Sequence, residues 1–181
     1  MSLSLHYLPD AQFTETHSIA IQAEPSGILD AVERLAPSDD PLVARLMGLR
    51  EVPARLLGLL DPSDPFGLHN FVRLERTISE LAFGLAGRFW RPDFGLVRLD
   101  SAEAFRAFAE PGVAKLVLSY TVEPALPQIM QLTTRTRVFC PDLATRLKMM
   151  PYWLAIRPVS GLIRKRTLRL VKAKAERLRQ A

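Results

Sequence analysis

The chain has a single cysteine, Cys140, among 181 residues, and its only histidines are His6, His17 and His69. One thiol forms no internal disulfide and no cysteine-rich zinc site. The histidines stand far apart, without the HExxH-type spacing that brings two imidazoles onto one helix face. No apolar run approaches the roughly 20 residues that a membrane-crossing helix requires. Gly84 and Gly87 belong to neither a GxGxxG turn nor a P-loop, so no phosphate cradle is expected. Their expected purpose is to let a strand bend. Met1 to Asp10 lacks a basic segment followed by an apolar stretch, which argues against a secretory signal and for a cytoplasmic location. Glu75, Glu80 and Glu123 fall at strand positions assigned to solvent, and no pair of carboxylates suggests acid–base work. No catalytic residue, metal site or cofactor is therefore expected.

What remains is a composition that is 48% hydrophobic and 24% charged, ordinary for a globular chain with a core of its own. One domain over residues 1–181 is expected, with 1–12 as an arm. The net charge of +5 is unevenly placed. Residues 157–181 hold nine Lys/Arg against the single acid Glu176, a local +8, and the rest hold 15 Lys/Arg against 18 Asp/Glu, or −3. Nucleic-acid binding usually spreads basic charge over a face and interleaves aromatics, so it is not expected.

Periodicity divides the chain. His17, Ile19 and Ile21 alternate with small or polar residues as a strand does. Ile28, Leu29, Val32 and Leu35 follow at helical spacing, with Ser26 as the expected N-cap. Leu42, Val43, Leu46 and Leu49 start a second helix, capped by Asp40 with Pro41 first, and Pro53 divides it before Leu56, Leu57 and Leu60. From Phe71 the period becomes two: Val72 and Leu74, then Leu81, Phe83 and Leu85, then a short strand over Phe94 to Leu99. Ser101 caps a short helix containing Phe105. Leu116, Leu118, Tyr120 and Val122 alternate next, and Pro124 and Pro127 bracket a turn. Leu132, Thr134, Thr136 and Val138 then oppose Gln131, Thr133, Arg135 and Arg137, as in an antiparallel strand with one wet face. Asp142 caps a final helix that Pro151 and Pro158 are expected to interrupt. Strands that follow one another without crossover helices indicate an α+β fold built on an antiparallel sheet.

Four segments carry a family resemblance: Phe13 to Ile21 (FTETHSIAI), Leu81 to Pro92 (LAFGLAGRFWRP), Leu132 to Asp142 (LTTRTRVFCPD) and Tyr152 to Arg164 (YWLAIRPVSGLIR). On these the chain resembles the START-like (SRPBCC) superfamily, in a bacterial branch. The resemblance implies the helix-grip fold, a curved antiparallel sheet wrapped around a long C-terminal helix with an apolar cavity between them. It also implies an apolar ligand, since the superfamily includes lipid and sterol carriers, quinone-binding proteins, and polyketide cyclases and aromatases. Residues 134–137 read Thr-Arg-Thr-Arg where the resemblance leads one to expect Thr-Glu-Thr-Arg, a change at an outward position.

The candidate cavity residues are Phe83, Leu85, Trp90, Leu118, Tyr120, Leu132, Thr134, Thr136, Tyr152 and Trp153. Taken singly, each is more simply read as core. Taken together, they describe an apolar wall with Tyr120, Thr134 and Thr136 as polar anchors. The leading expectation is a carrier or sensor of a small hydrophobic molecule. A cyclase or aromatase using the same cavity is the alternative, with a tyrosine or a histidine, His17 or His69, moving protons. A third reading sets the basic helix against an anionic membrane through Arg164, Lys165 and Arg166. The simplest view of those cations is a solvated helix face.

Overall fold

The computed structural model describes residues 2–35, 39–42, 45 and 67–180. A five-stranded antiparallel sheet in the order β1-β5-β4-β3-β2 forms its centre. The strands are β1 (Phe13–Ile21), β2 (Val72–Arg76), β3 (Glu80–Gly87), β4 (Ala114–Leu126) and β5 (Ile129–Phe139). The helices are α1 (Leu3–Tyr7), α2 (Pro25–Glu33), α3 (Ala102–Ala107) and α4 (Leu143–Gln180). The chain is thus α+β, an open antiparallel sheet with a long C-terminal helix.

Each strand alternates because its side chains leave opposite faces of the sheet. The register places Leu81 opposite Tyr120, Phe83 opposite Leu118, Tyr120 opposite Thr134 and Leu118 opposite Thr136. These residues share an inner face, which α2 and α4 cover. Ile21, Ile28, Leu29, Val32, Leu118 and Leu132 join Leu168 and Val171 of α4 in its core. The back face buries Leu74, Ala82 and Val117 under α1 and α3, with Phe105 fully enclosed.

Several expectations hold and others are corrected. Asp142 does cap α4: its Oδ1 accepts from the Thr145 amide at 2.7 Å and its Oδ2 from the Gly112 amide at 2.9 Å. Those donors, Thr145 first, hold its carboxyl down at about pKa 2. Ser101 caps α3 through the Ala104 amide at 3.1 Å. Asp40 accepts from the Leu42 amide at 2.8 Å, as expected of a cap, while the rest of that second helix, beyond Leu42, lies outside the described residues apart from helical Arg45.

The first helix after β1 begins one residue before Ser26, with Glu24 at the cap and Pro25 in the first turn, where a missing N–H costs nothing. The arm is a helix: the Leu3 amide donates to Glu80 Oε2 at 2.7 Å and the Tyr7 hydroxyl to the Leu74 carbonyl at 3.2 Å. Phe94 to Leu99 is not a strand. Phe94 and Gly95 both have positive φ, which breaks an extended chain, and only Val97 forms a bridge, to Ala86. β4 runs through Pro124 at an irregularity in the ladder, and the turn is Pro127-Gln128. Finally, α4 continues through Pro151 and Pro158. Packing along its length offsets the two lost backbone hydrogen bonds.

Candidate functional site

At its β2 edge the inner face carries Arg73 and Arg76, which pair with Glu33 and Asp30 of α2; inside that edge it is apolar except at one place. On β1, Glu15 lies opposite Thr136 and His17 opposite Thr134. Both therefore point to the inner face, in line with Phe13, Ile19 and Ile21. Glu15 Oε1 and His17 Nε2 are 2.9 Å apart, and both side chains are largely buried. A carboxylate and an imidazole taken out of water need partners, and each supplies the other's.

Helix α4 crosses directly above this pair, and Gly161 makes the crossing possible. A Cβ at that position would lie 3.1 Å from Glu15 Oε1 and 3.5 Å from His17 Cε1. One turn further along the same side of α4 is Arg164, whose Nε is buried without a hydrogen-bond partner. Beside the pair, Thr134 is 2% exposed and its Oγ1 also has no partner. Tyr120 and Thr136, its neighbours across the β4–β5 ladder and along β5, are buried as well. Glu15, His17, Thr134, Thr136 and Tyr120 thus form a polar island in an apolar sheet face, roofed by Gly161.

An unpartnered buried hydroxyl costs roughly 1–3 kcal/mol. The island is consequently short of hydrogen bonds: Thr134 can donate one and accept others, and Arg164 Nε can donate one. A carbonyl or hydroxyl beside Thr134 Oγ1 would satisfy that hydroxyl. His17, oriented by Glu15, is also chemically suited to exchange a proton.

The ten residues expected to form a cavity occupy two regions. Phe83, Leu118, Tyr120 and Leu132 belong to the cluster that α2 and α4 cover, and Thr134 and Thr136 stand on the same face. Leu85, Trp90, Tyr152 and Trp153 gather with Phe89, Val138 and Met149 at the other end of that face. There Trp153 packs on Phe13 with ring centroids 5.6 Å apart. Leu85 is buried, whereas Trp90, Tyr152 and Trp153 remain half-buried. This end of the inner face is its more open end.

Sequence reasoning passed over Glu15. Its signal was present: the alternation read at His17, Ile19 and Ile21 places residue 15 inward when carried back one step. Arg164 was read only as a surface charge. His69 is exposed on a short 3-10 turn, Leu68–Asn70. Cys140 is buried, and burial followed by the nearby Asp142 charge pushes its thiol up to about 11, as befits an inert side chain. Gly84 answers to close approach: a Cβ there would lie 2.7 Å from Phe105 Cδ2. Glu75 and Glu80 anchor α1 on the back face through Tyr7 and Leu3.

The basic stretch of α4 is partly occupied with the protein itself. Arg166 Nε donates to Asp40 Oδ2 at 2.6 Å, Lys174 Nζ meets Asp39 Oδ2 at 2.6 Å, and Lys172 Nζ donates to the Ala20 carbonyl at 2.9 Å. Of Arg164, Lys165 and Arg166, Lys165 is exposed and the other two are half-buried. A shallow hollow of about 190 Å³ lies on the outside of this region, among Asp40, Arg166, Arg169 and Leu170. Among the described residues no group of three metal-ligating side chains occurs, and no helix is long and apolar enough to cross a membrane. No protein-family model matches the chain, and no curated protein matches it in sequence.

Proposed function

We propose that the protein binds a small hydrophobic molecule carrying one polar group, between the inner sheet face and α4, in the manner of a START-like helix-grip protein. The observation that supports this reading is Thr134 Oγ1: a hydroxyl buried on a mainly apolar face, with no partner of its own. A core without a ligand gains nothing from threonine there, since valine has the same shape and no desolvation cost. A ligand oxygen that accepts from Thr134, with Tyr120 and Thr136 beside it, gives the hydroxyl a purpose. The strand order with the long C-terminal helix, and the four segments of family resemblance, support the same reading.

Native mass spectrometry on protein purified without detergent tests it. A bound mass of small-molecule size, extractable into organic solvent, is the expected result. A bare chain mass from preparations in several hosts would remove the proposal.

The Glu15–His17 pair favours a second reading, an enzyme of the cyclase or aromatase kind that works on the same bound molecule. Glu15 would fix the ring of His17, and His17 would take a proton from the ligand. His17→Gln discriminates between the two. A carrier keeps its ligand unchanged in mass in both proteins, whereas an enzyme's variant accumulates a different mass from the parent.

A further inference from the structure

The first half of α4 exposes a row of large apolar side chains. Leu143, Leu147, Met150 and Leu154 are 69, 58, 41 and 63% exposed. Their spacing of four, three and four keeps them on one side of a helix that turns about 100° per residue. The row runs for about 16 Å. It lies on the side of α4 away from the sheet, because Thr145 and Met149 on the opposite side are buried.

Along α4 itself the charges beside this row are all basic; Asp142, just before the helix, is taken up by the Thr145 and Gly112 amides. Arg146 and Arg157 flank one edge, Lys148 lies towards the other, and all three are exposed. No Asp or Glu occurs from Leu143 to Ala175. In the second half of α4, Arg166, Lys172 and Lys174 are turned back to Asp40, Ala20 and Asp39. In the first half, Arg146, Lys148 and Arg157 are exposed and have no ion-pair partner among the described residues, and Arg146 and Arg157 stand beside the apolar row.

The geometry points to an anionic membrane surface as the partner of this face, with α4 lying along the interface. An amphipathic helix with an apolar stripe and cationic edges satisfies both components of such a surface, acyl chain and headgroup. A second copy of the chain satisfies only one. Apposing two rows would bring Arg146 and Arg157 of each copy towards cations of the other, with no acid on either helix face to offset them. The depth is also set. Pro151 and Pro158 lack N–H groups, so the carbonyls of Leu147 and Leu154 have no amide donor four residues on. Those carbonyls need water, which the interface has and the hydrocarbon centre lacks. The half-buried aromatics Tyr152 and Trp153 of the inner face belong to the same stretch of helix, so docking here sets the more open end of the proposed ligand site at the membrane. The docking surface itself does not depend on that site.

Co-sedimentation of the full chain with vesicles tests it. Phosphatidylcholine vesicles containing roughly one third phosphatidylglycerol should pull the protein down, and pure phosphatidylcholine should bind about tenfold less. About 0.5 M salt should weaken binding without abolishing it, because the apolar contribution is not screened. The variant L147E/L154E should lose vesicle binding while melting at the parent temperature, since both side chains are exposed. R146E/R157E reads the electrostatic part separately and should bind at least about thirtyfold more weakly. Failure of the parent to bind the anionic vesicles at low salt overturns the proposal, as does parent-like binding by L147E/L154E. A dimer by light scattering that L147E/L154E converts to monomer, with no vesicle binding by the parent, assigns the row to a second copy and also overturns it.

Discussion

The two faces of the sheet treat their polar atoms differently. On the back face the named polar groups are matched. Lys115 Nζ donates to the carbonyls of Arg106 and Phe108 at 3.2 and 3.0 Å, and Arg137 donates to those of Leu8 and Pro9 at 3.0 Å each. Tyr7 and Glu80 close the remaining contacts of α1. On the inner face a buried Glu15–His17 hydrogen bond sits beside a threonine hydroxyl that bonds to nothing, and the Nε of Arg164 on α4 also lacks a partner. A back face of this kind is a scaffold, in which each hydrogen bond contributes about 1 kcal/mol. The inner face keeps polar capacity in reserve, which is the arrangement a binding site needs.

Substitutions on the two faces should therefore separate stability from binding. The largest effect is expected from Phe105→Ala. The ring is fully enclosed on the back face, and its loss should cost about 3–5 kcal/mol by denaturant unfolding. Molecules that remain folded should retain ligand normally. A loss of retention at unchanged stability would break the distinction between the faces.

Glycine substitutions give a paired comparison of intermediate size. Gly84→Ala forces a methyl group to 2.7 Å from a ring held in a packed core, and about 1–3 kcal/mol of destabilisation is expected. Gly161→Ala meets Glu15 Oε1 at 3.1 Å, a contact that α4 relieves by shifting a few tenths of an ångström from β1. It should lower ligand retention more than stability, the reverse of Gly84→Ala, when both are read by melting and by native mass spectrometry.

The smallest effect concerns the start of α4, shared by both faces. Asp142 has its carboxyl held below the ordinary value of 3.8, at about 2. A depressed folded pKa stabilises the fold above the unfolded value, and that contribution is lost as pH falls from about 4 towards about 2. Asp142→Asn should lower the melting temperature by a few degrees at neutral pH and narrow the gap to the parent towards pH 2. A constant gap over that range would contradict the assignment.

Much of this arrangement was legible in the residues. Alternation in Leu116 to Val122 and in Leu132 to Val138 gave the face of each side chain, because a strand exposes alternate residues whatever it packs against. Asp142 and Ser101 were readable as caps for a local reason: a short oxygen-bearing side chain stands just before an apolar helix. What escaped depended on distant parts of the chain. Five residues of α1 cannot hold a helix alone, and the helix exists through Glu80 and Leu74, far away in sequence. The continuity of α4 through two prolines rests on tertiary packing in the same way. Of the polar island, Tyr120, Thr134 and Thr136 are legible from alternation, while Glu15 is a residue type that most often faces solvent. That Thr134 lacks a partner is a property of three strands and a helix together, and no sequence pattern expresses it.

The most direct test compares the melting of the parent with Thr134→Val, first emptied by solvent extraction and then supplied with the extracted molecule. Emptied, the variant is expected to melt at or above the parent temperature, because a hydroxyl with no partner contributes only its desolvation cost. Supplied with the molecule, the parent should gain several degrees and the variant clearly less. A variant that melts well below the parent when empty, or that gains as much as the parent when supplied, would contradict the claim that the inner face holds its hydroxyl for a ligand.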